Sequence, residues 1–355
     1  MALNIKFYEG PDKVKEINSV GYLPVDLKPV EGSKHLASSG ALMDVAEDVE
    51  REVLQNQHID DNTIRIELLD KDAVPSYSAF TYKKVKAKFL NVWDCYSDDT
   101  TWSNKFRYFG HAFKVIGCGD LQDVTNVSSL FAGSDVVSVE GMTLPSVTSI
   151  KEMFKGCTLL EHVEMSGLSS VTDCDGAFSG CISLKTVVLD DTSSMTRCEN
   201  MFYSCKSMVN APTLDTSSLT DVVGMFSSCT SLQVVPLYDF ADVTNAEGIF
   251  EGCEQLKEVP ALDMGGCTRF ISMFEGCVSL EAVPAFDYSN ARNCSSMYNG
   301  CVNVKSGMDD AYTALSAVIS SPSKYYKCFA DCGVNTEEGR AERALIPTSW
   351  GGDLE

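Results

Sequence analysis

From residue 124 onward the apolar positions recur at a fixed spacing. The aromatic position falls at Phe131, Phe154, Phe178, Phe202, Phe226, Phe250, Phe274 and Tyr298, with a first step of 23 residues and later steps of 24. Around it the unit reads V-T-x-x-x-x-M-F-x-x-C-x-S-L-x-x-V-P-x-L-D-x-S-x, so that MFEGCVSLEAVPAFD from Met273 repeats IFEGCEQLKEVPALD from Ile249. Two apolar ladders accompany the aromatic one. The first is Leu160, Leu184, Met208, Leu232, Leu256, Leu280 and Val304, and the second is Val163, Val187, Ala211, Val235, Val259 and Val283. A repeat of roughly 20–50 residues that holds its apolar register builds a solenoid, because each unit can bury its apolar face only against its neighbours.

The segment from the ladder Leu to the residue before the ladder Asp is short, apolar and flanked by turn formers. It predicts one strand per coil, paired in parallel with the coils on either side. Pro212, Pro236, Pro260 and Pro284 recur inside it. Proline lacks an N–H for the ladder, which limits the expected strand to two or three residues. The stretch from V-T to the cysteine predicts a return side made of a helical turn or a 3₁₀ piece.

Three polar or sulfur ladders need a reading. Cys157, Cys181, Cys205, Cys229, Cys253, Cys277 and Cys301 are 24 apart. They are read as reduced, small apolar fillers, since disulfides along such a ladder would strain the coils. Asp191, Asp215, Asp239, Asp263 and Asp287 are read as turn residues accepting backbone N–H bonds; calcium is the alternative, but the unit lacks the glycine-rich, multi-oxygen turns that calcium requires. Thr148, Thr172, Thr196, Thr220, Thr244 and Thr268 are expected to satisfy turn amides.

Residues 1–105 do not follow the period. They predict a small α+β domain, with a helix over 37–56 and strands in NTIRIELL from Asn62 and SAFTYKKVKAKFLNVWDCY from Ser78. Residues 106–123 read as a linker or degenerate first coil, 124–308 as the solenoid, and 309–355 as a C-terminal cap whose YKCFADCG echoes the F-x-x-C core.

The formal charge is −22, of which −4 lies in residues 1–110 and −18 in 111–355. So acidic a surface repels nucleic acid and anionic lipid. No run reaches the about 18 apolar residues of a spanning helix, and the N-terminus shows no secretory signal peptide. Clustered CxxC pairs are absent, the nearest approach being CFADC at Cys328–Cys332, and the four histidines are His35, His58, His111 and His162. No metal or other cofactor is expected. No nucleophile elbow, phosphate loop or HExxH helix occurs, so the chain is not expected to be an enzyme. What varies from coil to coil is the solvent side of the strand segment: Glu161, His162, Lys185, Asn210, Gln233, Lys257, Glu258 and Glu281. These residues form the candidate recognition surface. Tyr238 and Phe286, before the ladder Asp, either pack inward or stack on a sugar, and packing is the expectation.

The unit resembles the BspA-like leucine-rich repeat, in the bacterial and phage branch written MFxxCxSLxxVPxLDTSxxT, over roughly 124–308. The resemblance implies a right-handed solenoid and roles in adhesion, surface recognition or phage structure. With no signal peptide or wall anchor visible, it points to a non-enzymatic virion component (a tail fibre, head fibre or decoration protein). Such a component would bind a host cell-surface glycan or protein, or another virion protein, and residues 1–105 could attach or oligomerise it. The alternatives are a bacterial surface or secreted adhesin or interaction protein, and an enzyme with its site in the N-terminal domain.

Overall fold

The computed structural model describes residues 124–355, together with Thr63–Ile64, Phe113–Ile116, Ser103, Asn104 and Arg107. The helix expected over 37–56 and the strands expected from Ser78 lie outside the described residues.

One face carries a parallel sheet in the order β1 (Thr63–Ile64), β2 (Phe113–Ile116), β3 (Val136–Thr143), β4 (His162–Ser166) and β5 (Thr186–Leu189). β1, from the segment read as part of a separate domain, pairs in parallel with β2 at the edge of this same sheet. Across β4 and β5 the register is His162↔Thr186 and Val163↔Val187, one repeat apart.

The strands shorten from 8 to 5 to 4 residues between β3 and β5. After that, pairing on this face contracts to the single bridges Asn210↔Val234 and Ala282↔Ser306. The expectation of a two- or three-residue strand in every coil is therefore corrected. Glu164 and Val188 stand where the next coil has Pro212, and the loss of that N–H ends the ladder.

A second ladder, absent from the sequence reading, runs along the other side: Asn126↔Ser149↔Asp173↔Arg197↔Asp221↔Asn245↔Arg269↔Asn293. The six partners from Ser149 to Arg269 each follow a ladder Thr. Beyond it the return side is neither helical nor 3₁₀. Alternate amides bond within the coil, as Met153 N–H does to Ile150 O (3.0 Å), and to the next coil, as Phe154 N–H does to Ala177 O (2.8 Å). Two residues per coil, such as Glu152 and Gly156 at φ of 53° and 73°, adopt the left-handed region, which breaks any continuous helix.

The core is one continuous cluster. Its spine is a ring stack: Phe131, Phe154, Phe178, Phe202 and Phe226 follow one another at centroid spacings of 5.3 to 5.4 Å, and the stack continues through Phe250, Phe274, Tyr298 and Phe329. Tyr238 and Phe286 are buried against it.

The ladder cysteines are free and buried. They are more than fillers, because each thiol donates to the carbonyl of the previous coil's ladder phenylalanine; Cys181 Sγ lies 3.0 Å from Phe154 O and Cys229 Sγ 3.1 Å from Phe202 O. Burial pushes Cys229 up to about 12 and Cys267 up to about 11. All thirteen described cysteines are buried and out of reach of a reagent that needs an accessible thiolate, so iodoacetamide applied to the native protein should leave them unmodified in a peptide map. Labelling of any of them before unfolding would contradict the core assignment.

The ladder aspartates make the expected turns: Asp215 Oδ1 accepts from Ser217 N–H at 3.1 Å and Asp287 Oδ1 from Ser289 N–H at 2.9 Å. The ladder threonines do not act as expected. Their hydroxyls donate to the carbonyl of the preceding ladder Thr, as Thr196 Oγ1 does to Thr172 O at 3.2 Å. The hydroxyls that satisfy turn amides belong to Thr192 and Thr216, which accept from the N–H of Asp215 and Asp239.

Past the last repeat come α1 (Met308–Val318), α2 (Pro322–Tyr325), α3 (Glu337–Arg343) and a 3₁₀ turn at Thr348–Trp350. Residues 324–330 stack on the final coil as another turn, with Tyr298 N–H on Cys328 O and Gly300 N–H on Ala330 O, both at 2.8 Å. Carbonyls at the end of that coil find partners beyond it: Cys301 O takes Gly333 N–H and Val304 O takes the Thr336 hydroxyl.

Candidate recognition surface

Alternation along the strand segment decides what faces out. In the fourth coil Leu232 and Val235 are buried while Gln233 and Val234 between them are exposed, and neighbouring coils repeat this. Glu161, Lys185, Asn210, Gln233, Lys257, Glu258 and Glu281 all lie on the exposed positions, and His162 is half-buried. The candidate residues thus line one face.

They do not act as isolated charges. Lys185 Nζ sits 2.8 Å from Glu161 Oε2, one coil apart, and Lys305 Nζ sits 2.7 Å from Glu281 Oε2. His162 Nδ1 pairs with Thr186 Oγ1 at 2.6 Å. Lys305, hydrogen-bonded to Glu281, holds its carboxyl below the ordinary carboxylate value, and Lys305 is itself raised in return. Exposed pairs of this kind contribute little stability. Their effect is to cancel charge along two edges of the face.

Between those edges exposed apolar side chains stand among polar ones. Val188, Val209, Val234 and Leu237 are 53%, 40%, 54% and 72% exposed, across three consecutive coils. Val209 O accepts both Gln233 N–H and Val234 N–H, which holds two of them side by side. Val188 and Leu237 escaped the sequence reading because Val and Leu in an array of Val and Leu read as core. Leu237 is turned out because Tyr238 takes the inward place next to it, its hydroxyl 2.6 Å from Pro212 O.

Comparisons with known proteins bear on the repeats. Among solved structures, a leucine-rich repeat protein from Eubacterium ventriosum is 18% identical over 57% of this chain and 62% of its own, with a TM-score of 0.37. The chain therefore spans less than two thirds of that protein's length. The leucine-rich repeat protein of T. pallidum is 24% identical over 59% and 86%, with a TM-score of 0.39. A leucine-rich cell surface protein from Faecalibacterium prausnitzii is 17% identical over 72% and 90%, with a TM-score of 0.30. No curated protein matches. One family matches three times, over 100–213, 148–261 and 197–313, each start shifted by about two repeats. Together these matches span 100–313, more than half of the 355 residues, and the chain belongs to that family, described as Mycoplasma protein of unknown function, DUF285.

Proposed function

We propose that the chain is a non-enzymatic interaction protein whose strand-side face takes a protein partner at a bacterial cell surface. The observation that carries this reading is that Val188, Val209, Val234 and Leu237 are exposed on three consecutive coils of this face, which also carries the self-paired charges Glu161–Lys185 and Glu281–Lys305. Large apolar side chains left exposed together on one face mark a protein-binding surface. The family description names a bacterium, which favours a bacterial cell protein over the virion component.

The reading is tested by staining a panel of intact bacteria with fluorescently labelled full-length protein, before and after protease treatment of the cells. Selective staining that protease abolishes, and that Val234→Asp with Leu237→Asp weakens by about tenfold or more, is expected. Staining that the double variant leaves unchanged would refute it.

A further inference from the structure

The return side carries a recess of its own. In three consecutive coils one outward column reads Lys155, Ser179, Tyr203 and the neighbouring one Glu152, Gly176, Asn200. The middle coil is small at both positions, so the wall dips between Lys155 and Tyr203 into a groove of about 510 Å³, within the usual range for ligand sites. Gly176 sits at φ 61°, where a larger residue would be strained as well as in the way.

The chemistry of this groove is narrow. Asp175, on its floor, is already engaged, accepting from Arg197 Nη2 at 2.8 Å and from Glu199 N–H at 3.0 Å. On the rim, Lys155 Nζ donates to Glu152 Oε1 at 2.7 Å and Asn200 Nδ2 to Glu199 Oε1 at 3.3 Å, leaving further acceptor capacity on both carboxylates. The Tyr203 ring is 42% exposed. Lys151 and Lys155 line the groove with Glu152, Asp175 and Glu199, and Arg197 beside it pairs with Asp175, so the groove is close to neutral on a chain of net charge −22. A strongly charged ligand gains nothing here.

Main-chain docking is closed too. Gly176 N–H bonds to Glu199 O and Gly180 N–H to Tyr203 O, at 2.8 and 2.7 Å. An extended peptide, which binds by pairing with a free strand edge, finds no such edge in these turns. A neutral, hydroxyl-rich ring meets the remaining features: its C–H face suits the negative face of the Tyr203 ring, and its hydroxyls suit the carboxylates and the ammonium of the rim. We infer that this groove is a binding site for a neutral carbohydrate, with Tyr203 as its stacking platform, separate from the strand-side face.

Calorimetric titration of the full chain with maltohexaose, cellohexaose, xylohexaose, mannohexaose and chitohexaose tests the inference. At least one should bind in the micromolar to millimolar range. Tyr203→Ala should then weaken binding about tenfold or more, while Tyr203→Phe, which keeps the ring, should stay within about threefold. Ser179→Phe, filling the groove, should block binding, and Leu237→Asp should leave it unchanged. Binding by none of the five sugars, or binding indifferent to Tyr203→Ala, would overturn the assignment. A neutral Gly/Ser hexapeptide binding as tightly as the sugars would give the groove to peptides instead.

Discussion

Replacing Phe226 with Ala should destabilise the protein by about 3–5 kcal/mol, the range for deleting a buried ring. Phe226 is fully buried, 5.4 Å from Phe202, 6.0 Å from Phe250 and 6.1 Å from Tyr238 by ring centroids. Its carbonyl also accepts the Cys253 thiol at 3.2 Å, so a shift of the backbone into the cavity would disturb the next coil as well. By contrast, exposed Gln233→Ala should change stability by less than about 0.5 kcal/mol. Urea unfolding of both variants checks the pair, and equal costs at the two positions would contradict the division into core and face.

Arg343→Ala should loosen the C-terminal closure by about 2–4 kcal/mol, the worth of several charge-assisted bonds discounted for a half-exposed partner. The guanidinium is 9% exposed and holds Asp353 through two bonds, Nε to Oδ2 at 3.0 Å and Nη2 to Oδ1 at 2.7 Å. It also donates to Phe329 O and Cys332 O. Removing it takes a donor from both carbonyls, of which Phe329 O keeps the Cys332 N–H at 3.1 Å. Trp350, which lies 4.2 Å from Tyr325 and accepts Phe329 N–H through its carbonyl, would loosen with it. The hydrogen bond from Arg343 holds the Asp353 carboxyl below its ordinary value of 3.8. That contribution is present above 3.8 and is lost as the pH falls through the lower folded value. Amide protection over 324–332, measured against the intrinsic exchange rate at each pH, should therefore fall on acidification in the natural protein, and be low at all pH values in Arg343→Ala. Unchanged exchange in the variant would show that the closure does not hang on this residue.

Much of the fold was legible because a period exposes its own core. The Phe, Leu and Val ladders, the aspartate turns and the buried free cysteines all follow from register alone. What escaped were bonds whose partner is a backbone atom in another coil. The acceptor of the Cys181 thiol is a carbonyl 27 residues away, and no pattern of side chains displays it. The ladder threonines misled for the same reason, since a hydroxyl can donate or accept and only the stacking of Thr172 O beneath Thr196 decides which. The return side was read as a helical turn or a 3₁₀ piece; the left-handed Glu152, Asn200, Ser272 and Ser296 that break it are ordinary residues that carry no glycine-like mark.

The candidate surface was half visible. Alternation is enough to expose the charged residues, yet their pairing across coils and the exposed apolar side chains among them depend on which of two adjacent residues turns inward, as Tyr238 does beside Leu237. The groove at Tyr203 needs three coils compared column by column before the dip at Gly176 and Ser179 appears.

Photocrosslinking from position 237 tests the central claim most directly. Benzoylphenylalanine replacing Leu237, irradiated on the intact cells that the labelled protein stains, should yield one dominant adduct of a defined protein mass, while the same group at Tyr326 (also exposed, but off this face) should not. Equal adducts from both positions, or none from position 237 on stained cells, would contradict the strand-side face as the site of protein recognition.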